Sequence, residues 1–340
     1  MNIGGEDRLT SMSELLVEQA GAGSESAFDA LVSPHRRELH VHCYRMLGSF
    51  EDAEDAVQET LLRAWSRIST YAGTSTFRAW LYAIATNVCL DALRRRKARA
   101  WPTEVVGATD PHLTPQPASE VPWLQPYPDS LLVESAEEAV VNKETVELAF
   151  LAAIQHLPPR QRAVLILRDV LAWSAKEVAD TLGMTSTAVN SALQRAHATM
   201  ADRLPDSPRT SSGEEQAILA KFVTFWERAD LEGLVGLLAE DVRFVMPPRP
   251  TWFRGRGDVA RFLGEVMPWT DGRPHIGDDW RLVPTAANGQ PAFGLYRLGA
   301  DRFERFAIGV LQIGTHGIEE VALFLEDPAL FDLFELPEAV

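Results

Sequence analysis

Cysteine is almost missing: the 340 residues contain two, Cys43 and Cys89, and they form no CxxC pair. That scarcity excludes a disulfide framework and a cysteine-based zinc module, and it fits reduced core thiols in a cytosolic protein. Long apolar runs are lacking too. No stretch approaches the roughly 20 residues of a membrane-spanning helix, and no charged-then-apolar leader opens the chain. The chain is therefore expected to be soluble and cytoplasmic, with no membrane partner. Positive charge is in deficit, with a formal net charge of −16. A chain so acidic does not coat nucleic acid unselectively. The deficit is uneven: −1 for residues 1–100, −6 for 101–210 and −9 for 211–340. Any grip on a polyanion belongs to the first third.

What is present is concentrated between Glu51 and Arg99. At about 100° per residue, Ala53, Ala56, Val57, Thr60, Leu61, Ala64 and Ile68 form one stripe of a helix, the face a core buries. Asp55, Gln58, Glu59 and Leu62 gather opposite. Two carboxylates, an amide and an apolar anchor on a surface face suit a basic partner helix. A second helix carries Phe77, Leu81, Ile84, Ala85, Val88 and Ala92 inside and ends in Arg94, Arg95, Arg96, Lys97 and Arg99. Cations suit a helix C-terminus, but this many exceed what capping needs. Asn87, Asp91 and Arg94 share one face, and amide, carboxylate and guanidinium are groups that read base edges and hold phosphates. Trp65, Tyr71, Phe77, Trp80 and Tyr82 surround the polar loop Ser69–Thr76, a composition that can stack unpaired bases.

Around this stretch the chain divides by composition. Residues 1–23 are polar and Gly-containing and are expected to fray. Helical periodicity runs from Glu25 to Leu47. His35, His40 and His42 beside Cys43 fit no standard zinc spacing, so no metal is expected. Residues 101–135 carry seven prolines and read as an extended linker. The apolar centre of that linker, with Trp123, Leu124 and Tyr127, is expected to dock in a groove of its own protein or of a partner. Residues 136–204 are helical again. Ser174–Thr181, a turn at Leu182-Gly183-Met184 and Ser186–Met200 have helix-turn-helix spacing. Packing the pair through Val178, Ala179, Leu182, Val189, Leu193 and Ala196 leaves Ser186, Thr187, Asn190, Ser191, Gln194 and Arg195 for a major groove. Residues 214–340 read as helices followed by an antiparallel sheet with strands at 242–246, 280–285, 292–298, 305–313 and 318–325.

The runs Tyr44-Arg45-Met46-Leu47-Gly48-Ser49, Ala53 to Thr60, Phe77 to Leu81 and Asn87 to Arg96 resemble region 2 of a bacterial RNA polymerase sigma factor. The likeness is to the extracytoplasmic-function (ECF) branch of the sigma-70 family. The wording Ala188 to Ala196 resembles region 4 of the subgroup with an extra C-terminal domain. The pattern after residue 214 is similar to the SnoaL-like, nuclear-transport-factor-2-like cone. The implied fold is multi-domain: a region 2 helical bundle (24–100), the linker (101–135), a region 4 helix-turn-helix (136–204) and an α+β SnoaL-like domain (214–340).

The resemblance also implies partners. Asp55, Gln58, Glu59 and Leu62 would meet the clamp helices of the polymerase β′ subunit, and region 4 the β flap. Asn87, Asp91, Arg94, Arg95 and Arg96 would contact the −10 promoter element, with the Ser69–Thr76 loop capturing a flipped base. Ser186, Thr187, Asn190, Ser191, Gln194 and Arg195 would face the −35 element. One departure is the low cation count of the second recognition helix, which predicts a shallow salt dependence there. The implied function is promoter-specific transcription initiation modulated by the C-terminal domain. A ligand-responsive helix-turn-helix regulator is the alternative. No cofactor is implied. A small molecule in the C-terminal pocket is a candidate partner. Tyr296, Asp241, Asp258, His275, Asp278 and Asp279 are the acids and bases of that domain, and they form no recognisable catalytic constellation. The chain is read as a non-enzyme.

Overall fold

The computed structural model describes residues 6–73, 75–95, 98–112, 115–132, 145–204, 212–266, 269–270, 273–274, 279–325 and 327–340. The helices are α1 (Glu6–Gly21), α2 (Glu25–Val32), α3 (Arg36–Leu47), α4 (Phe50–Arg67) and α5 (Phe77–Arg95). They are followed by α6 (Pro102–Val105), α7 (Leu148–Gln155), α8 (Pro159–Leu165), α9 (Ala175–Leu182) and α10 (Ser186–Ala201). The last four are α11 (Ser212–Glu227), α12 (Leu231–Leu237), α13 (Arg256–Val266) and α14 (Pro328–Leu333). The chain forms two compact units. The first comprises Met1–Ala98, Leu132–Thr145 and Ala153–Arg203; the second comprises Arg99–Leu131, Val146–Ala152 and Leu204–Val340.

In the first unit, α3 is the central helix, with Leu39 to Leu47 all buried. Its end and the start of α4 are set by two residues. Gly48 takes a left-handed conformation (φ 69°) that only glycine adopts without strain, and Ser49 then caps α4 by accepting from Asp52 N at 3.2 Å. Glu51 and Asp52 follow at the positive end of the helix. The stripe Ala53, Ala56, Val57, Thr60, Leu61 and Ala64 is buried, and so are Leu81, Ile84, Ala85 and Val88 of α5. Residues 6–21, expected to fray, are helical instead. Leu16, Val17 and Ala20 give α1 a short apolar side, and Ala20 is buried. A face so narrow is lost among polar neighbours when the sequence is scanned for periodicity. After α8 the helix widens at Ile166–Val170, where Leu171 N reaches back to Ile166 O.

The second unit is built on β1 (Leu238–Val245), β2 (Trp252–Arg254), β5 (Trp280–Ala287), β6 (Gln290–Leu298), β7 (Phe303–Gly314) and β8 (Gly317–Leu325). They form one sheet in the order β2-β1-β8-β7-β6-β5, and β3 (Trp269–Thr270) and β4 (Arg273–Pro274) make a separate two-stranded pair. The sheet is not wholly antiparallel as expected, because β1 and β8 run parallel. Side chains alternate with the same period in either pairing, so the apolar pattern carries no information on strand direction. One face packs Phe244, Phe253, Phe293, Leu295, Val321 and Leu323 against Phe222 and Trp226 of α11, Leu234 of α12 and Phe262 of α13. Side chains pointing the other way serve the opposite face. Phe324 meets Trp101 with ring centroids 5.9 Å apart, and Tyr296 lies edge-on to Phe331 at 5.4 Å.

Candidate nucleic-acid interface

Burying the alanine-rich stripe of α4 turns its other side outward. Asp55 and Gln58 are exposed, Glu59 is half-buried, and Leu62 is 66% exposed. Leu62 thus stands exposed in the middle of a polar helix face, where the fold gives it little shelter. One residue that the reading passed over links this face to the next helix. Arg63 donates to Glu59 Oε1 at 2.6 Å and to Asp91 Oδ2 of α5 at 3.1 Å. The Glu59 contact, the largest cause, holds the Arg63 guanidinium above its ordinary pKa. The four-residue spacing of Glu59 and Arg63 was the available signal. The contact to Asp91 was not legible, since it needs the packing of α4 on α5.

On α5, Asn87 is exposed and folds its amide nitrogen back onto Ala83 O at 2.8 Å, which leaves its side-chain oxygen as the outward group. Asp91 is half-buried and accepts from both Arg63 and Arg94, the latter at 2.7 Å. Arg94 and Arg95 are exposed in the last turn. Arg96 and Lys97 lie outside the described residues. Arg99 belongs to the second unit, where its Nη1 donates to Trp123 O at 3.3 Å. Alanine at both Arg94 and Arg95 is expected to flatten the salt dependence of DNA binding, lowering the slope of log Kobs against log salt by about 0.7–0.9 per lost phosphate contact. Titrating the polymerase-bound protein against duplex DNA over a salt series measures it. An unchanged slope would remove these two side chains from the DNA face.

Above the same helix, Tyr71, Phe77 and Trp80 pack on one another with centroids 5.3 to 5.7 Å apart. All three are half-buried, and the Tyr71 hydroxyl donates to Ser75 O across the loop. The three rings are thus supported by one another and partly open, the arrangement that a stacking surface would require. Tyr82 and Trp65 are differently placed: Tyr82 is core, and Trp65 is edge-on to Phe28 at 5.1 Å. Thr74 of the loop lies outside the described residues.

The helix-turn-helix is assembled by caps. Ser174 and Glu177 cap α9 reciprocally, Gly183 turns the chain at φ 61°, and Thr185 caps α10 by accepting from Ala188 N at 3.1 Å. Val178, Ala179, Leu182, Val189 and Ala196 are buried. Ser186, Thr187, Asn190, Gln194 and Arg195 are exposed, and Ser191 is half-buried. His197 is paired with Asp169 at 2.6 Å, so the exposed cation of this face is Arg195.

In the second unit the linker runs along the sheet. Trp123, Leu124 and Tyr127 are 6%, 1% and 1% exposed. Asn288, in the left-handed position of the β5–β6 turn, accepts from Tyr127 N at 2.8 Å through Oδ1 and donates through its own N to Tyr127 O at 2.8 Å. Gly289 N donates to Asp129 Oδ1 at 2.8 Å, and the Trp252 indole donates to Val106 O at 2.9 Å. Among the acids and bases of this unit, Tyr296 donates its hydroxyl to Pro337 O at 2.8 Å, on the face away from the aromatic core. Asp241 is exposed, Asp258 half-buried and Asp279 buried, while His275 and Asp278 lie outside the described residues. Among the described residues there is no His/Cys/Asp/Glu cluster that could hold a metal ion, and no helix is long and apolar enough to cross a membrane.

With this geometry in place, comparison with known proteins is specific. The sequence matches Sigma-70 region 2 over residues 31–99, Sigma-70, region 4 over 147–200 and the SnoaL-like domain over 219–313. It is 43% identical over 324 residues to the ECF RNA polymerase sigma factor SigG of Mycobacterium tuberculosis, an alignment that covers 92% of this chain and 85% of that protein. It is 27% identical over 190 residues to the ECF RNA polymerase sigma factor SigW of Bacillus subtilis, covering 56% of this chain and 95% of that one. Its fold matches the crystal structure of the extracytoplasmic function sigma factor SigJ of Mycobacterium tuberculosis with a TM-score of 0.59 and 23% identity, covering 92% of this chain and all of that one. Both helical regions and the cone after them thus have counterparts in known proteins, and on that footing the chain belongs to the ECF RNA polymerase sigma factors of the sigma-70 family that carry a C-terminal SnoaL-like domain.

Proposed function

We propose that this chain binds core RNA polymerase and directs it to promoters, where it starts transcription. The observation that carries the reading furthest is the α4 surface, where Leu62 stands 66% exposed between carboxylates and an amide. That surface suits a basic helical partner, and the β′ clamp helices are its expected counterpart. Region 2 then grips the −10 element through Asn87, Asp91, Arg94 and Arg95, and the Tyr71, Phe77 and Trp80 cluster receives an unpaired base. Opening a base costs a few kcal/mol, which one stack of about 1–3 kcal/mol largely offsets. Ser186, Thr187, Asn190, Ser191, Gln194 and Arg195 engage the −35 element, with the β flap holding region 4. The acidic balance of the chain fits a protein that binds DNA only with polymerase.

No covalent chemistry is asked of the chain. The tyrosine of the C-terminal domain is committed to Pro337 O, which argues against a general-acid role. The C-terminal domain regulates by holding the linker between the two DNA-binding regions, and the protein works in the cytoplasm. The test is core binding. With Asp55, Gln58 and Leu62 all replaced by alanine, co-purification with core polymerase and promoter-dependent run-off transcription are both expected to fall at least tenfold, since a central apolar anchor with its polar surround contributes about 2 kcal/mol or more. Wild-type recovery of core polymerase by that variant would overturn the assignment of the α4 face.

A further inference from the structure

One side chain joins the two outer faces of region 2. Arg63 leaves α4 beside Glu59 and reaches α5, with Nε 2.6 Å from Glu59 Oε1 and Nη1 3.1 Å from Asp91 Oδ2. The other oxygen of Asp91 is taken by Arg94, whose Nη1 donates to Oδ1 at 2.7 Å. Charge therefore alternates along an unbroken chain of contacts, from Glu59 through Arg63 and Asp91 to Arg94. Glu59, Arg63 and Asp91 are half-buried, and Arg94 is exposed. Among the described residues no other ion pair involves these four.

An isolated surface pair contributes little, but members of a network act on one another through the partners they share. Both middle members are shared here: Arg63 serves two carboxylates, and Asp91 serves two guanidiniums. A cation arriving at Glu59 competes with Arg63 for that carboxylate and repels the guanidinium towards Asp91. The planar fork of an arginine can take both oxygens of one carboxylate. Arg63 in that position displaces Arg94, whose guanidinium is then open to a phosphate. We propose that Arg63 is a positioning residue that couples polymerase binding to DNA binding: a basic helix on Glu59 shifts Arg63 onto Asp91 and releases Arg94 to the DNA. The inference rests on the assignment of the α4 face to polymerase and of the α5 face to DNA. In the free chain Asp91 holds Arg94 back, so the partner sets the strength of the DNA grip.

Such coupling is reciprocal, because DNA must strengthen polymerase binding by the factor with which polymerase strengthens DNA binding. The test measures the affinity of the full chain for core RNA polymerase with and without a saturating duplex that carries an unpaired bubble. In the wild type, DNA is expected to tighten binding about fivefold or more. In Arg63→Ala this ratio is expected to fall to about one, while affinity without DNA is at least that of the wild type, since Glu59 loses a competitor. Arg63→Gln, which keeps a donor without the charge, replaces the alanine variant if the latter does not fold. Arg63→Lys retains the charge but not the fork, so it is expected to restore only part of the ratio. Asp55→Ala removes a carboxylate of the same face that lies outside the chain of contacts, and is expected to weaken core binding while keeping the ratio. A wild-type ratio of one, an undiminished ratio in the Arg63 variants, or an equal fall in Asp55→Ala overturns the proposal. Failure of the underlying assignment looks different: core affinity without DNA then ignores the replacement of Asp55, Gln58 and Leu62.

Discussion

Lowering the pH from 7 to 5 is expected to destabilise the region 2 helices by about 2 kcal/mol through one buried side chain, His42. His42 is fully buried on α3, and Nε2 lies 2.9 Å from Thr86 Oγ1. The Thr86 hydroxyl donates to Tyr82 O at 2.7 Å, so its oxygen is the acceptor towards His42 and the imidazole carries its proton on Nε2. Nδ1 is buried with no partner. Protonation would place an N–H there with nothing to receive it. Burial above all, and then the nearby Arg45 and Arg78 charges, push the His42 pKa down to about 3, against a small opposing pull from Glu38. The unfolded chain takes up this proton near pH 6.5 and the folded one only near pH 3. Below 6.5 the unfolded state therefore binds more protons, so this stability is complete above pH 6.5 and lost progressively towards pH 3. His40, also lowered chiefly by burial, acts in the same direction. Hydrogen exchange of α3 and α5 at pH 7 and pH 5 measures the effect. In His42→Gln, which retains a donor for Thr86, the pH dependence should shrink by about 2 kcal/mol. An undiminished dependence would show that His42 is not the titrating group.

Replacing Arg162 with alanine is expected to cost the first unit about 3 kcal/mol, combining unsatisfied acceptors with a cavity. Arg162 is 1% exposed. Its Nη1 donates to Met46 O at 2.5 Å and to Gln155 Oε1 at 2.7 Å, and its Nη2 donates to Gln155 O at 2.9 Å. Met46 O and Gln155 O lie at the C-terminal ends of α3 and α7, where helix carbonyls lack partners and the helix dipole favours a cation. One guanidinium thus closes two helix ends and joins α8 to α3. Burial pushes its pKa down to about 10, so the charge is retained at neutral pH. Arg162→Met keeps most of the volume and loses only the bonds, so it should cost about half as much. The urea midpoint of the first unit separates the two variants. A shift no larger than a surface substitution gives, about 0.5 kcal/mol, would refute the bridging role.

Local rules made much of this molecule legible. The α4 stripe, the left-handed Gly48, the caps at Ser49, Ser174 and Thr185, and the exposed Leu62 each follow from residues within one or two turns of one another. Besides the Arg63–Asp91 contact, three features were not legible, each for its own reason. The narrow apolar side of α1 is swamped by polar neighbours. The parallel pairing of β1 with β8 leaves no trace in an alternating pattern. Arg162 reads as an ordinary surface cation of a helix, because nothing in its neighbourhood announces the two helix ends that it closes.

Composition and periodicity by themselves determined that this is an acidic chain with few cysteines, two helical regions, a proline-rich connection and a terminal α+β domain, since each property sums over neighbouring residues. Only tertiary structure decided that Arg63 ties Glu59 to Asp91, that the side chain and backbone of Asn288 hold Tyr127, and that Trp123 is buried with its indole N–H unpaired. Those contacts join residues distant in the chain. Hydrogen bonding and desolvation depend on which groups arrive together in space, a quantity that no local pattern contains.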